Sequence, residues 1–203
     1  MKTTFLSGLT LFGITCLFFT TVNTAAQILE VEATLLQQFD SFDARQGVAV
    51  NASHFFAINN TRITMHDKTS GQSTLQWESG TDDSNSQLIH LDSGMIIDGL
   101  LYAAHSNYPI SPMQSSVEIW NTNNLEHMDS HPFEPLPGSL TWLDYHQGYW
   151  WGTFANYDVI QPGQQQAYGT TAATGLVKMD QDFTILQRWL FPPALYERFP
   201  PHE

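Results

Sequence analysis

Two asparagine–tyrosine pairs recur in this 203-residue chain at a spacing typical of a repeated structural unit. Asn107-Tyr108 ends the run "LLYAAHSNYP", and Asn156-Tyr157 ends the run "YWWGTFANYD" 49 residues later. Amide and phenol groups can hydrogen-bond a polar ligand, but asparagine also tolerates the left-handed conformations of turns. The repeat therefore predicts either a polar rim that binds a ligand or a loop shape shared by two units, and the sequence leaves both open.

Imidazole and carboxylate groups beside these pairs are not repeated, which favours a ligand. His105 and Asp158 flank the two pairs, and His90 and Asp92 lie in the strand-like run "IHLDSG". Neutral imidazole and carboxylate oxygens can bind a divalent cation, although no compact HxH or HExxH spacing is present. We predict His90 and Asp92 as metal ligands, and the following residues as ligand-binding: His105, Asn107, Tyr108, Asn156, Tyr157 and Asp158.

Nucleophilic and phosphate-transfer chemistry have little support in the sequence. The chain has no GxSxG elbow, and "PGQQQAYG" lacks the lysine of a P-loop. Its one cysteine, Cys16, lies in the N-terminal apolar segment, so thiolate catalysis and a disulfide framework are not expected. A metal-assisted lactonase or hydrolase and a structural extracellular scaffold stay open beside a binding protein.

Three aligned units must position these candidate residues. Each has two apolar strands, a third strand ending in a polar turn at Asp67, Asn121 or Asp180, and an outer strand. Gly99 and Gly148, also 49 residues apart, mark equivalent hairpin turns. Units of about 45 to 50 residues with four strands are typical of β-propeller blades, and a β-sandwich with similar hairpins is the alternative.

We therefore predict an all-β propeller of about three four-stranded blades, forming an incomplete ring. The segment "TLLQQFDSF" before Gln46 reads as one extra strand, the outer strand of a preceding blade. Closed propellers have about four to eight blades, so the expectation is a truncated chain or a ring completed by another chain. The only helix candidate in the mature chain is "LEVEATLLQQF".

Three segments carry a resemblance to a known family. "QGVAVNASHFFAINNTRITMHDKTSG", "HLDSGMIIDGLLYAAHSNYPISPMQSSVEIWNTNNLEHMDSH" and "GSLTWLDYHQGYWWGTFANYD" resemble secreted, largely uncharacterised β-propeller-like proteins of bacteria and fungi. Those proteins are loosely similar to the YVTN and quinoprotein-dehydrogenase-like propellers. The resemblance covers most of residues 46–200 and implies a propeller fold and secretion, but no activity and no catalytic residue.

The N-terminus and the charge suggest where the protein works. Residues 1–26 have the short basic start, apolar core and small-residue end of a secretory signal, which leaves a partial propeller domain at 27–203 and no stable membrane anchor. We therefore expect an extracellular or periplasmic location. The net charge of −13 argues against nucleic acid, whose phosphates require clustered Lys and Arg. An unknown small molecule or protein is the expected partner, and a cation is the sharper alternative.

Some further residues have weaker signals. Asn51 and Asn59 fit the N-glycosylation pattern and would then lie in exposed loops. Four histidines occupy turn-like or outer positions, where we expect solvent-facing side chains: His66, His127, His131 and His146. The six tryptophans are expected to pack between blades rather than to form sugar-binding platforms: Trp77, Trp120, Trp142, Trp150, Trp151 and Trp189.

Overall fold

The computed structural model describes residues 31–80, 88–134, 137–158, 160 and 169–198. The predicted signal segment, residues 1–26, lies outside this part of the chain. The chain divides into two units, residues 1–38 and 39–203. In the first unit the described residues, 31–38, form neither helix nor strand, so the predicted helix near the start is not found there.

The second unit consists of three antiparallel sheets, each with its four strands in chain order. The first sheet contains β1 (Gly47–Val50), β2 (His54–Asn59), β3 (Arg62–Asp67) and β4 (Ser73–Glu78). The second contains β5 (His90–Ile97), β6 (Leu100–Ser106), β7 (Ser115–Asn121) and β8 (His127–Pro132). The third contains β9 (Ser139–His146), β10 (Tyr149–Ala155), β11 (Gly175–Met179) and β12 (Ile185–Leu190).

The predicted four-strand repeat is confirmed at the level of its turns. The β5–β6 and β9–β10 hairpins both turn through a residue and a glycine with positive φ, Asp98-Gly99 (49° and 81°) and Gln147-Gly148 (51° and 81°). Such a pair is what a two-residue hairpin turn of type I′ requires, and glycine takes it without a steric penalty. The two glycines therefore occupy the same place in successive sheets.

The outer turns also repeat, and for the predicted reason. The Oδ1 atom of Asp67 accepts the backbone N–H of Thr69 at 3.0 Å, and Oδ1 of Asn121 accepts that of Asn123 at 2.8 Å. Asp180 does the same for Asp182 at 3.0 Å. Each side chain substitutes for a backbone acceptor two residues before its donor, which stabilises a tight turn between the third and fourth strands.

The sheets stack face to face as blades of a ring that is not closed. β1 packs beside β5, and β5 packs beside β9, so the first strand of each sheet faces the inner side of the stack. Trp77 of the first sheet meets Trp120 of the second edge-on at 5.0 Å, inside one apolar core. A second core between the next two sheets contains Trp150, Phe154 and Val177.

The extra strand expected before Gln46 is not formed, and this part of the prediction is wrong. Residues 42–45 make a turn, and the segment from Phe39 lies on the outer face of the first sheet. Phe39 stacks on Phe55 at 5.4 Å, and the Asp43 carboxylate accepts the Thr64 hydroxyl at 2.7 Å. Because that side-chain bond draws Asp43 onto β3, the chain turns there instead of extending as a strand.

Two of the four histidines predicted to face solvent do not. His66 is 6% exposed and stacks on Phe55 at 4.6 Å, and His127 lies edge-on to Trp120 at 5.0 Å while it bonds Glu118. Inter-blade packing is confirmed for Trp77, Trp120 and Trp150. Trp142 and Trp189 are 40% and 38% exposed, and Trp189 stacks with Trp151 at 5.8 Å on the third sheet.

The helices in the described ranges are short. Thr171–Ala173 is a 3₁₀ turn before β11, and α1 spans Pro193–Arg198 after β12. None of the helices described here has the length and apolar content that a membrane crossing requires.

Candidate functional site

The predicted asparagine positions are equivalent in the three sheets. Asn60, Asn107 and Asn156 are each the first residue after the second strand of their sheet. That end of the second strand lies beside the start of the first strand, because the two strands are antiparallel. We call this end of the stack the rim.

The asparagine side chains hold the rim together. Asn107 accepts the Gln114 N–H at 2.7 Å through Oδ1 and donates through Nδ2 to the Pro112 carbonyl at 2.9 Å, which closes the β6–β7 loop. Asn156 is 9% exposed and donates to the carbonyls of Pro137 and Ala173 at 3.1 and 3.2 Å. These amides thus have structural work in the folded chain, which is the loop-shaping alternative of the sequence analysis.

Asn60 links the first two sheets. Its side-chain oxygen accepts a hydrogen bond from Gln46, and its carbonyl accepts the Leu91 N–H of β5 at 2.8 Å. The rim is therefore a connected framework in which asparagines fix the loops.

Four other side chains meet on this framework, and we call them the rim cluster: His90, Asp92, Tyr108 and Tyr157. The His90 ring lies 5.2 Å from the Tyr108 ring, and Tyr108 lies 5.3 Å from Tyr157, measured between ring centroids. The His90 Nε2 atom is 3.6 Å from Oδ2 of Asp92. The cluster joins the start of β5, the loop after β6 and the loop after β10, so residues from two sheets converge.

A bulge in β5 places Asp92. Leu91 pairs with His105 and Gly94 pairs with Ala103, so Asp92 and Ser93 share the space opposite one residue of β6. A Cβ atom on Gly47 of β1 would lie 2.8 Å from the Asp92 carbonyl oxygen, which shows how closely β1 approaches. On the other side the Leu143 N–H of β9 donates to the Ser93 hydroxyl at 2.8 Å. The neighbouring sheets therefore hold the bulge from both sides.

The Asp92 carboxyl is buried without full compensation. The residue is 8% exposed, and its Oδ2 atom accepts no hydrogen bond from the residues that the structure describes. Burial raises the pKa of Asp92 to about 7, because removal from water disfavours the carboxylate. Burial likewise lowers the pKa of His90, which favours the neutral imidazole. The pKa of Tyr157 is raised by burial, by the charge of Asp92 and by Tyr108, so the phenol stays neutral.

His105 lies outside the rim cluster, in a polar group between β6, β7 and β8. It is 6% exposed, its Nδ1 atom is 2.9 Å from the Ser116 hydroxyl, and it lies 3.9 Å from Oε1 of Glu118. It also lines a cleft of about 470 Å³ with Ser116, Ser130 and Phe133. The structure therefore separates His105 from the tyrosines that follow it in the sequence.

Glu118 is a buried acid that the sequence analysis missed. It is 1% exposed, and its oxygens accept the Ser116 and Ser130 hydroxyls and meet Nε2 of His127 at 2.7 Å. Burial would raise the pKa of Glu118, but the bonds from His127, Ser116 and Ser130 outweigh it and hold the pKa below its usual value. A lone acid in the apolar run "SVEIW" was the available signal.

Asp158 also lies apart from the rim cluster. It is exposed, accepts the Thr171 hydroxyl at 2.9 Å, and lines a mostly apolar cleft of about 500 Å³ with Phe191 and Tyr196. The two non-repeated neighbours of the asparagine–tyrosine pairs, His105 and Asp158, thus belong to different surroundings.

The metal prediction retains only its two nearest ligands. Among the residues that the structure describes, no group of three or more His, Cys, Asp or Glu side chains could hold a metal ion. His90 and Asp92 are adjacent, but the Asn107 and Asn156 amides are engaged with backbone groups of their own loops. A metal-assisted hydrolase requires three or four converging ligands, so this part of the molecule gives it no support.

The two glycosylation candidates differ in their surroundings. The Asn51 Oδ1 atom accepts the N–H groups of Ser53 and His54 at 3.0 and 2.7 Å in the β1–β2 turn. Asn59 uses its Nδ2 atom, the atom that a glycan would occupy, to donate to Asp43 at 3.3 Å. Glycosylation at Asn59 would replace that bond, whereas no such conflict exists at Asn51.

Comparisons with known proteins give a likeness of fold. No family model matches the chain, and no curated protein matches it. A neuraminidase-like protein from A/bat/Guatemala/164/2009 is 9% identical with a TM-score of 0.44, over 71% of this chain and 38% of that one. A subtype N10 neuraminidase-like protein of A/little yellow-shouldered bat/Guatemala/060/2010 is 9% identical with a TM-score of 0.45, over 72% and 43%. The chain thus spans about two fifths of these neighbours, and no residue role follows from likenesses at this level.

Proposed function

We propose that this chain is an extracytoplasmic propeller-like binding protein whose rim cluster takes a small ligand. The observation that carries the proposal is the convergence of His90, Asp92, Tyr108 and Tyr157 at the end of two stacked sheets. Repeated asparagines shape the surrounding loops, whereas these four side chains include the non-repeated groups that could read a ligand. Ligand sites in proteins combine apolar and aromatic walls with a few placed polar groups, and the rim cluster has that composition.

The surroundings of the cluster support binding rather than a purely structural role. Structural polar groups inside a protein are normally paired, as Glu118 is, because an unpaired buried group costs about 1–3 kcal/mol. Asp92 departs from this rule in a region that β1 and β9 hold rigidly. Such locally unfavourable placement is typical of functional positions, since a rigid scaffold can bear its cost.

A screen of small molecules with matched variants tests the proposal. We would record thermal shifts of the full chain with a panel of amines, neutral sugars, polyols and carboxylates, and then repeat the hits with Tyr108→Leu and Tyr157→Leu. Tyr149→Leu is the control, because Tyr149 is exposed on the third sheet away from the rim cluster. A hit lost in both rim variants and kept in the control supports the proposal. A panel without any hit that depends on these tyrosines would leave the scaffold role instead.

Secretion is part of the same proposal and has its own test. The basic start, apolar core and small-residue end of residues 1–26 support cleavage after Ala26. Expression with a secretory host, followed by mass spectrometry of the protein outside the cytoplasm, should give a chain that begins at Gln27. A protein retained in the cytoplasm with Met1 intact would contradict the proposed location.

A further inference from the structure

The surroundings of Asp92 indicate the chemical class of the ligand, an inference that rests on the proposed function. Among the described residues no Lys or Arg side chain lies within ion-pair distance of Asp92, and His90 at 3.6 Å is the only basic side chain there. Arg62 pairs with Asp43 and Glu78, and Lys178 lies over the Tyr149 ring. The positive charges of the described chain are therefore engaged elsewhere.

Aromatic rings form the other part of the cluster. Tyr108 and Tyr157 are half-buried and lie next to one another, and the edge of this pair continues into His90. The faces of such rings carry partial negative charge and attract cations, most strongly those that are large and weakly hydrated. Aromatic rings beside a carboxylate are the recurrent surroundings of bound ammonium groups.

A metal ion fits these residues less well than an organic cation. Calcium binds six to eight oxygen ligands, and magnesium demands a near-octahedral set. Asp92 is the single carboxylate in the rim cluster, and ring faces do not replace the missing oxygens. The chain as a whole carries a net charge of −13, which raises the local concentration of any cation near its surface.

We propose that the rim cluster binds a compact organic cation, an alkylammonium or quaternary ammonium group, with Asp92 as its counter-charge and the rings of Tyr108 and Tyr157 as its walls. A bound cation supplies the charge partner that the described residues do not give Oδ2. The larger body to which the ammonium group is attached would extend from the rim into solvent, because the tyrosines are half-exposed.

The experiment compares matched probes on the full chain. Tetramethylammonium and propylammonium chloride are titrated by NMR, beside tert-butanol as the neutral probe of similar size and beside sodium and calcium chloride. We expect saturable shifts at the rim residues with the ammonium probes. The dissociation constants for tert-butanol should be at least about tenfold higher, as loss of a cation–π and charge contribution of 1.4 kcal/mol implies.

Variants then assign the contacts. Asp92→Asn keeps the shape and removes the charge, and should raise the dissociation constant for tetramethylammonium about tenfold or more. Tyr157→Leu should raise it severalfold, and Tyr149→Leu should leave it unchanged. If Asp92→Asn does not fold, contacts between the methyl protons of tetramethylammonium and the Tyr108 and Tyr157 rings, measured in the unaltered protein, decide the matter, and their absence overturns the inference.

The outcomes separate the two proposals. If tert-butanol or a sugar binds at the rim tyrosines as well as the ammonium probes do, the cation inference is wrong and the binding function stands. Calcium binding at the rim in preference to ammonium would also overturn the inference, in favour of a metal site. If no probe of any class binds at the rim, both proposals fail.

Discussion

Asp92 and Glu118 are two carboxyl groups of the same sheet, both buried, with opposite electrostatics. Glu118 is 1% exposed and is met by two hydroxyls and an imidazole, and its pKa lies below its usual value. Asp92 is 8% exposed, lacks a donor at Oδ2, and has a pKa raised to about 7. Burial alone does not decide the charge of an acid, because the partners do. The paired acid fastens β7 to β8, whereas the unpaired acid is available to a ligand.

The largest effect is expected from Glu118→Gln. An amide in place of the carboxylate cannot accept three hydrogen bonds in the same arrangement, which leaves His127 or a serine hydroxyl without its partner. We expect a loss of about 2–4 kcal/mol in the free energy of unfolding at pH 7, measured with urea. A loss below about 1 kcal/mol would show that the network adds little.

The same acid predicts how stability changes on acidification. The folded pKa of Glu118 is depressed, so its contribution is present above the unfolded pKa and is lost as the pH falls through the folded value. Glu118→Gln should therefore show a flatter decline of stability between about pH 5 and 3 than the unaltered chain. Urea unfolding curves at several pH values give the comparison, and parallel declines would exclude Glu118 as a source of the acid sensitivity.

Asp92→Asn should have the opposite sign and a smaller size. The folded pKa of Asp92 is raised, so the folding advantage of its protonated form is present below about pH 4 and is lost as the pH rises through about 7. We expect the variant to be more stable than the unaltered chain at pH 8, by on the order of 2 kcal/mol, and equally stable near pH 4. A variant that is less stable at pH 8 would mean that the carboxylate has a partner.

The positioning of Asp92 can be tested separately from its charge. A Cβ atom at position 47 would lie 2.8 Å from the Asp92 carbonyl oxygen and 2.9 Å from Ser93 Cα, both backbone atoms. Gly47→Ala should cost about 1–3 kcal/mol and weaken ammonium binding by displacing the bulge. Gly148→Ala is the matched control, because its cost of about 1 kcal/mol comes from positive φ with open space around the Cβ atom.

The smallest effect concerns the loop asparagines. Asn107→Ala removes the two bonds that close the β6–β7 loop and should cost about 1 kcal/mol, with faster amide exchange confined to residues 107–114. Because Tyr108 follows directly, ammonium binding should weaken only through that loop. Hydrogen exchange read by mass spectrometry locates the change, and exchange spread over the whole second sheet would indicate a role in the core instead.

The repeat was predictable from the sequence because its signals are local. Turn residues such as Asp67 and Gly148 act on their immediate neighbours, so composition and spacing located the hairpins correctly. The fate of residues 39–45 was not predictable, since it depends on the contact between Asp43 and Thr64, 21 positions along the chain. A strand-like apolar run without a partner strand turned instead onto the sheet face.

The site was predictable only in part for a similar reason. Tyr108 and Tyr157 were found from their repetition, and His90 and Asp92 from their residue types, yet nothing in the sequence showed that these four converge. His105 and Asp158 lie beside the tyrosines in sequence but not in their cluster, because neighbouring residues on a strand face opposite sides. The bulge at Asp92–Ser93 is a pairing feature and has no signature in one strand alone.

The central claim is that Asp92 lacks, within the described chain, the partner that Glu118 possesses. Carboxyl ¹³C NMR of both side chains as a function of pH tests it in one titration. We predict that the pKa of Asp92 is near 7 in the free protein and falls when tetramethylammonium is added, while Glu118 titrates below its usual value with or without the cation. An Asp92 that titrates near 3.8, or whose pKa does not respond to the cation, would contradict the account.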